Sequence, residues 1–444
     1  MPIKAENSKL LIQSPKGTHD ILPDDYALYQ SIFEKAEEIS SYYGFRPIQT
    51  PHFEKTDLFT AAIGESTDIV EKEMYAFKTK GGDRLALRPE GTAPVMRSYI
   101  ENGMHTLPQP VMLWYKGSFF RHESPQKGRF REFQQFGLEI IGEPKTVAEA
   151  IIIQVLTLIL KEIGIENIIV NINSIGDKEC RTNYRKELMN YYRKKFNALC
   201  GDCKKRFKKN PLRMLDCKKP KCVELKQDVP QLIDYLCNNC KQSFREVLEF
   251  LEASDTPYFL DNHLVRGLDY YTRTVFEIFE DTAEKIKGAA DEGENEKNTR
   301  GVALVAGGRY DGLAKTLGKK DIPAVGGAIG IDRVVQILRD RNIKPQIKKT
   351  PKIFFIQLGA AARYKSLNIM EMLRKAGIPI EQSLCKDNLR GQLKLASKLN
   401  MPYVLILGQK EALDSSIIVR DMESGVQETV AVEKIIETIK RKIK

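Results

Sequence analysis

Apolar positions along the chain switch repeatedly between helical and strand spacing. Tyr26, Tyr29, Phe33, Ala36 and Ile39 recur at helical intervals and predict a first helix, with Gly44 where a C-terminal cap belongs. Phe45–Thr50 reads as a strand stopped by Pro51, and Leu85–Arg88 as another. Pro89-Glu90-Gly91-Thr92-Ala93-Pro94 then turns into a helix, Val95–Ile100. Two apolar runs, Val111–Tyr115 and Phe133–Ile141, bracket a polar segment holding Arg121, Arg129 and Arg131, so this region reads as strand, loop, strand. Thr146-Val147-Ala148-Glu149 has the form of a capping box for a helix reaching Lys161, and Ile168–Ile172 is a strand.

From 177 to 255 the pattern becomes helical and basic, and it interrupts the strand-rich part as an insertion. Strands resume at Phe259, Thr274–Phe279 and Val302–Ala306, with a charged stretch at 281–300 that reads as a hairpin tip or a disordered loop. A glycine-rich run, Gly326 to Arg333, leads into an apolar helix ending at Leu338. Its glycines allow close backbone approach to a ligand or a neighbouring strand. A basic linker, 340–350, ends at Pro351. Beyond it strands and helices alternate: Ile353–Gln357, Lys365–Lys375, Ile378–Glu381, Leu389–Leu399, Tyr403–Leu407, Ile417–Arg420, and a helix from Val432. That pattern predicts a small α/β domain with a mainly parallel sheet. The expected division is a core in two parts, 1–176 and 256–340, an insertion at 177–255, and a C-terminal domain at 351–444.

Composition adds a partner. The 444 residues are 42% hydrophobic and 29% charged, ordinary for a globular chain, with a net charge of +11. The excess is uneven: 19 Lys and Arg stand against 12 Asp and Glu over 177–255, and 16 against 10 over 351–444. Two basic modules around a near-neutral core suit nucleic acid before membrane. The most apolar segment, Ala148–Leu160, is too short to span a bilayer. Residues 1–20 hold no secretory signal, which predicts a reducing, cytoplasmic setting. Six of the eight cysteines fall between 200 and 240, as Cys200/Cys203, Cys217/Cys222 and Cys237/Cys240. They offer six thiolates to a structural zinc site that needs four, and the first two pairs make the better closed ribbon.

The five histidines form no metal-binding pair, and neither a P-loop, a GxGxxG fingerprint nor a GxSxG elbow occurs. The stronger pattern is a set of phosphate arginines (Arg121, Arg266, Arg333), an aromatic able to stack on a base (Phe133), and a polar pocket of Glu90, Thr92, Gln135, Glu139, Tyr270 and Tyr271. Such a set suits a nucleotide beside a small cationic or amphoteric ligand. Attack of a carboxylate on a phosphate needs no general base. It needs two anions held together and charge stabilised on the departing pyrophosphate.

With those residues in view, the chain resembles the histidyl-tRNA synthetases of the class II aminoacyl-tRNA synthetases, nearly end to end. Phe45–Phe59, Phe119–Gly142 and Gly326–Arg333 resemble the three class motifs in order, and Leu264–Thr272 and Gly307–Leu313 resemble features particular to the histidine enzymes. The resemblance implies an α/β (α+β) fold: an antiparallel sheet flanked by helices, a helical insertion that clasps the tRNA acceptor stem, and a C-terminal α/β domain that reads the anticodon. It implies ATP-dependent activation of L-histidine, with Mg²⁺ accompanying ATP, transfer to the 3′ end of tRNA(His), and a homodimer joined through the first motif. Arg121 would bind the ATP α-phosphate and the histidine carboxylate, Phe133 would stack on adenine, and Arg333 would hold the γ-phosphate. Arg266 would lie on the α-phosphate as the main catalytic cation. Glu90, Thr92 and Gln135, with Gly91 among them, would take the α-amino group. Glu139 and Tyr271 would bond the imidazole, with Tyr270 and Tyr310 lining the pocket. The resemblance gives zinc no support. A rival shares this core: the regulatory subunit of ATP phosphoribosyltransferase, which binds histidine without catalysis. The intact Arg121, Glu139, Arg266 and Arg333, and the C-terminal domain, favour the enzyme.

Overall fold

The computed structural model describes residues 13–125, 128–281, 302–343, 351–383 and 388–443. The expectations for the stretch 281–300 and for the linker 340–350 fall largely outside those residues. The chain divides into two compact units, Met1–Pro345 and Gln346–Lys444. Among the described residues no helix is long and apolar enough to cross a membrane.

The first unit begins with α1 (Pro23–Tyr42), β1 (Arg46–Pro47), β2 (Phe53–Lys55), α2 (Thr56–Ile63), β3 (Ala76–Lys78), β4 (Arg84–Leu87) and α3 (Thr92–Glu101). The long hairpin β5 (Val111–Phe120) and β6 (Glu132–Ile141) follows, then α4 (Val147–Glu162) and β7 (Ile168–Ser174). Four helices fill the insertion: α5 (Lys178–Lys194), α6 (Gly201–Lys209), α7 (Pro220–Leu225) and α8 (Asn238–Ala253). The chain then returns through β8 (Tyr258–Leu260), β9 (Thr272–Glu280), β10 (Val305–Arg309), β11 (Ala324–Gly330) and the helix Ile331–Asp340.

Eight strands form one sheet in the order β1-β5-β6-β11-β10-β9-β7-β8. The inner pairings are antiparallel, and the two outermost, β1 with β5 and β8 with β7, are parallel. Side chains of a strand alternate between faces. One set, including Phe136, Leu138, Ile140, Val325, Ile329, Phe276 and Ile278, packs with α1, α4, α8 and the helix Ile331–Asp340 into a mainly apolar layer. The other face meets α2, α3 and helices α5, α6 and α7 of the insertion, which share an apolar cluster with it.

Several local expectations are corrected. The strand after α1 is only Arg46–Pro47, because Thr50 leaves the sheet and gives its carbonyl and hydroxyl to Arg88 Nη1 at 3.0 and 3.2 Å. The capping box at Thr146 does not form. Thr146 Oγ1 donates to Glu246 instead, and Glu149 is buried against Arg309, whose Nε lies 2.6 Å from Glu149 Oε1. The strand expected at Val302 begins at Val305 and runs through both glycines to Arg309.

The second unit has a five-stranded sheet: β12 (Ile353–Gln357), β13 (Glu381–Gln382), β14 (Tyr403–Leu407), β15 (Ser416–Asp421) and β16 (Gln427–Ala431), in the order β13-β12-β14-β15-β16. Only the pairings of β12 are parallel; β14–β15 and β15–β16 are antiparallel. The sheet is therefore mixed rather than mainly parallel. The missed hairpin turns at Asp421, whose carboxylate accepts from Glu423 N and Ser424 N. The helices Ala360–Lys375 and Ile435–Ile443 close its core over β12, β14 and β15.

Candidate active site

Directly paired residues of an antiparallel ladder share a face. Across β6, β11 and β10 that rule lines up Glu139, Gly326 and Gly308 in one row, and Gly137, Ala328 and Ala306 in the next. Gln135 pairs with Gly117 and Gly330. The result is a strip without large side chains, bounded by Glu139, Tyr115 and Phe133. The glycines are there for room. A Cβ on Gly326 would lie 1.6 Å from Glu139 Oε2, and one on Gly137 would lie 2.2 Å from Tyr115 Cζ. A Cβ on Gly91 would meet the same tyrosine ring at 2.4 Å, so Gly91 serves by its size.

Glu139 is fully buried and accepts hydrogen bonds from Thr92 Oγ1 at 2.7 Å, from the Tyr310 hydroxyl, and from Tyr115 at 3.4 Å. Burial pushes its carboxyl up to about 8, against the opposing pull of those hydroxyls. Glu90 caps α3, accepting from Thr92 N at 2.7 Å and Ala93 N at 2.9 Å, and also accepts from Tyr270 Oη at 3.3 Å. Burial raises its carboxyl too. Tyr270 packs against Tyr271 and Tyr310, with ring centroids 4.6 and 5.7 Å away. Thus Glu90, Thr92, Glu139, Tyr270, Tyr271 and Tyr310 form one contiguous group, with Gln135 two rows along the same face.

The arginines stand beside it. Arg121 Nε donates to the Pro89 carbonyl at 2.8 Å, and its guanidinium lies 5.4 Å from the Phe133 ring centre. Arg266 pairs with Glu277 and lies 5.7 Å over Tyr271, while its buried Nε has no hydrogen-bond partner among the described residues. Arg333 donates to the Ala303 carbonyl. Burial, then the positive field of Arg129 and of Arg121, pulls its pKa down to about 10. Guanidiniums crowded this way favour a polyanion that relieves the repulsion.

Sequence reading missed Tyr115, Glu277 and Arg88. Tyr115 and Glu277 belong to the pocket face by strand alternation, a signal that was available once register was known. Arg88 is structural: it ties Thr50 to the Ser118 carbonyl and lies 4.4 Å over Phe119. Phe130, between β5 and β6, packs on His19 with centroids 4.3 Å apart. Behind Arg266 and Tyr271 a cavity of about 340 Å³ opens towards the insertion. Lys178, Arg181, Arg185, Lys209 and Arg213 line it with Arg266, against the single carboxylate Asp269.

Cys200, Cys203, Cys217 and Cys222 bring their sulfurs within 4.8 Å of one another, with Cys200 Sγ 3.8 Å from Cys217 Sγ. Backbone amides of Cys203 and Cys200 donate to Cys200 Sγ and Cys222 Sγ, both at 3.4 Å. The donor set fits a tetrahedral thiolate site, whose sulfur–sulfur edge is about 3.8 Å for bonds near 2.3 Å.

Residues 17–334 match the family model described as histidyl-tRNA synthetase, and 352–442 match one described as anticodon binding domain. The chain is 41% identical to the histidine–tRNA ligase of Dehalococcoides mccartyi over 433 residues, 98% of this chain and 100% of that one. It is 40% identical to the histidine–tRNA ligase of Syntrophotalea carbinolica, over 97% of this chain and 99% of that one. Among solved structures, the apo histidyl-tRNA synthetase of S. aureus superposes with a TM-score of 0.77 at 31% identity, covering 97% of this chain and 100% of that one.

Proposed function

The chain belongs to the histidyl-tRNA synthetase family, and from that premise we propose that the pocket just described carries both steps of histidine transfer to tRNA(His). It is an aminoacyl-tRNA synthetase, a histidine–tRNA ligase. In the first step a histidine carboxylate oxygen attacks the ATP α-phosphorus, and pyrophosphate leaves. In the second, a ribose hydroxyl at the tRNA 3′ end attacks the adenylate carbonyl, and AMP leaves. Mg²⁺ accompanies ATP and offsets charge on the polyphosphate.

The residues divide the work by charge. Arg121 and Arg266 bring carboxylate and α-phosphate together, Arg333 takes the γ-phosphate, and Phe133 stacks on adenine. Glu90, Thr92 and Gln135 take the α-amino group, with Gly91 leaving room for Tyr115. Glu139 and Tyr271 face the imidazole, lined by Tyr270 and Tyr310. A ring N–H facing Glu139 favours its ionised form, so ligand and carboxyl meet in a charge-assisted bond. One observation carries this reading: a buried, hydrogen-bonded carboxyl group and a crowded arginine cluster sit side by side on one sheet face.

The cationic cavity behind Arg266 and the basic second unit suit the tRNA. β1 is the sheet's edge, and the nearby Tyr42 and Phe53 are exposed, which supports a second copy docking there and a homodimer. We place the enzyme in the cytoplasm. The Cys200, Cys203, Cys217 and Cys222 quartet holds a structural zinc. Metal analysis after mild dialysis tests that site; if replacing Cys200 and Cys217 with serine leaves zinc content unchanged, it is not one.

Histidine-dependent ATP–pyrophosphate exchange tests the whole reading. Exchange that requires histidine is expected. Its absence from pure, folded protein would mean a non-catalytic histidine binder, the regulatory-subunit alternative.

A further inference from the structure

The third cysteine pair is not a spare. Cys237 and Cys240 do not join the quartet; they meet Cys180 and Asp177, and the four ligand atoms lie within 4.8 Å of one another. Asp177 is the N-cap of α5, using Oδ1 to accept from Cys180 N at 2.9 Å. Its other oxygen, Oδ2, lies 3.6 Å from Cys237 Sγ and 3.4 Å from Cys240 Sγ. A tetrahedral zinc with sulfur bonds near 2.3 Å and oxygen bonds near 2.0 Å sets a sulfur–oxygen edge of about 3.5 Å. The two observed edges straddle that value. Cys180 Sγ accepts from Cys237 N at 3.1 Å, the kind of bond that stabilises a thiolate ligand. Cys180 and Cys240 are almost fully buried. Gly176 allows the approach: at φ +64°, its missing Cβ would stand 2.5 Å from Cys180 Cβ.

We propose that Asp177, Cys180, Cys237 and Cys240 form a second site for a thiolate-preferring divalent cation, zinc, which clips the neck of the insertion. The four ligands come from the start of the outgoing helix α5 and the start of the returning helix α8, so the ion closes the loop between them. The clip also reaches the active site. Gly176 O accepts from Arg273 N at 2.8 Å, Ile175 N donates to Arg273 O at 2.7 Å, and Arg181 Nη1 donates to the Tyr271 carbonyl at 2.8 Å. A fixed neck therefore fixes the backbone that carries Tyr271. This site is independent of the Cys200 quartet, and the test separates the two.

The experiment is elemental analysis of the full-length chain, purified without chelator or histidine tag, alongside three variants. The unaltered protein is expected to carry about two zinc equivalents. Cys237→Ser/Cys240→Ser loses one, and Cys200→Ser/Cys217→Ser loses the other. Asp177→Asn keeps a capping side chain but removes the anionic ligand. It is expected to release one zinc to a competing chelator at about tenfold lower concentration than the unaltered chain. That variant keeps the proposal testable if the double serine variant does not fold. Zinc content unchanged in folded Cys237→Ser/Cys240→Ser, chelator resistance unchanged in Asp177→Asn, or a disulfide joining any two of the three cysteines in the native protein would each overturn the proposal.

Discussion

Strand β6 shows two opposite uses of one backbone. On one face Phe136, Leu138 and Ile140 are 0–2% exposed, and Phe136 stacks on Trp114 with centroids 5.5 Å apart. On the other, Phe133, Gln135, Gly137 and Glu139 build the pocket. The first face stabilises the fold by apolar burial; the second gives up part of that gain. A buried carboxylate is costly, and each glycine in a strand forgoes side-chain packing. The helix-covered face offsets those costs, so the two faces should respond differently to the same kind of substitution.

The largest contrast is between two phenylalanines three residues apart. Phe136→Ala is expected to cost about 3–5 kcal/mol of stability, measured by chemical denaturation. Phe133→Ala should cost far less stability and instead raise the KM for ATP. Equal stability losses would dissolve the distinction. Next comes Arg266→Ala, expected to lower the exchange kcat by about 10²–10³-fold in protein whose circular dichroism is unchanged. Near-normal exchange would remove Arg266 from the catalytic role and leave it as the partner of Glu277.

The same contrast marks what the sequence could say. The strand that carries the apolar face was legible from the apolar run Phe133–Ile141, and α1 was legible from Tyr29, Phe33, Ala36 and Ile39. Where polar partners come from far along the chain, local patterns misled. Thr146 and Glu149 look like a capping box, but Glu149 turns inward to Arg309, 160 residues away in sequence. Glu90, Thr92 and Glu139 stood out as candidates, and the structure brings them into contact. Tyr115 and Glu277 did not, because register alone puts them on the pocket face. The cysteines show the same limit: spacing suggested one quartet from six thiols, whereas folding recruits Cys180 and Asp177 to a separate group.

A sharper test uses adjacent glycines of β11 that face opposite ways. Gly326→Ala drives a methyl into Glu139 Oε2 and within 2.7 Å of the Leu138 carbonyl. Displacing the carboxylate by about an ångström is expected to lower kcat/KM for histidine by about 10²-fold. Gly327→Ala meets two side-chain ends closely, Leu156 Cδ1 at 2.9 Å and Phe276 Cζ at 3.0 Å, with the Ala306 carbonyl at an ordinary contact distance of 3.5 Å. It should cost about 1–3 kcal/mol of stability and leave the histidine KM unchanged. If both variants lost activity alike, the sheet would be responding as a whole rather than by face.

The smallest effect concerns Glu139 itself. Its carboxyl, near 4.5 in the unfolded chain, rises to about 8 in the fold because of burial. Between those values the folded protein holds a proton that the unfolded chain has lost. Stability is therefore greatest below about 4.5 for this group and declines as pH rises towards 8. Glu139→Gln removes the titration while keeping the shape. The stability of Glu139→Gln relative to the unaltered protein is expected to grow by about 2 kcal/mol between pH 6 and 8, while histidine-dependent exchange falls. A constant difference across that range would mean the carboxyl is not held protonated in the empty pocket, and the cost assigned to this face would have to lie in its glycines alone.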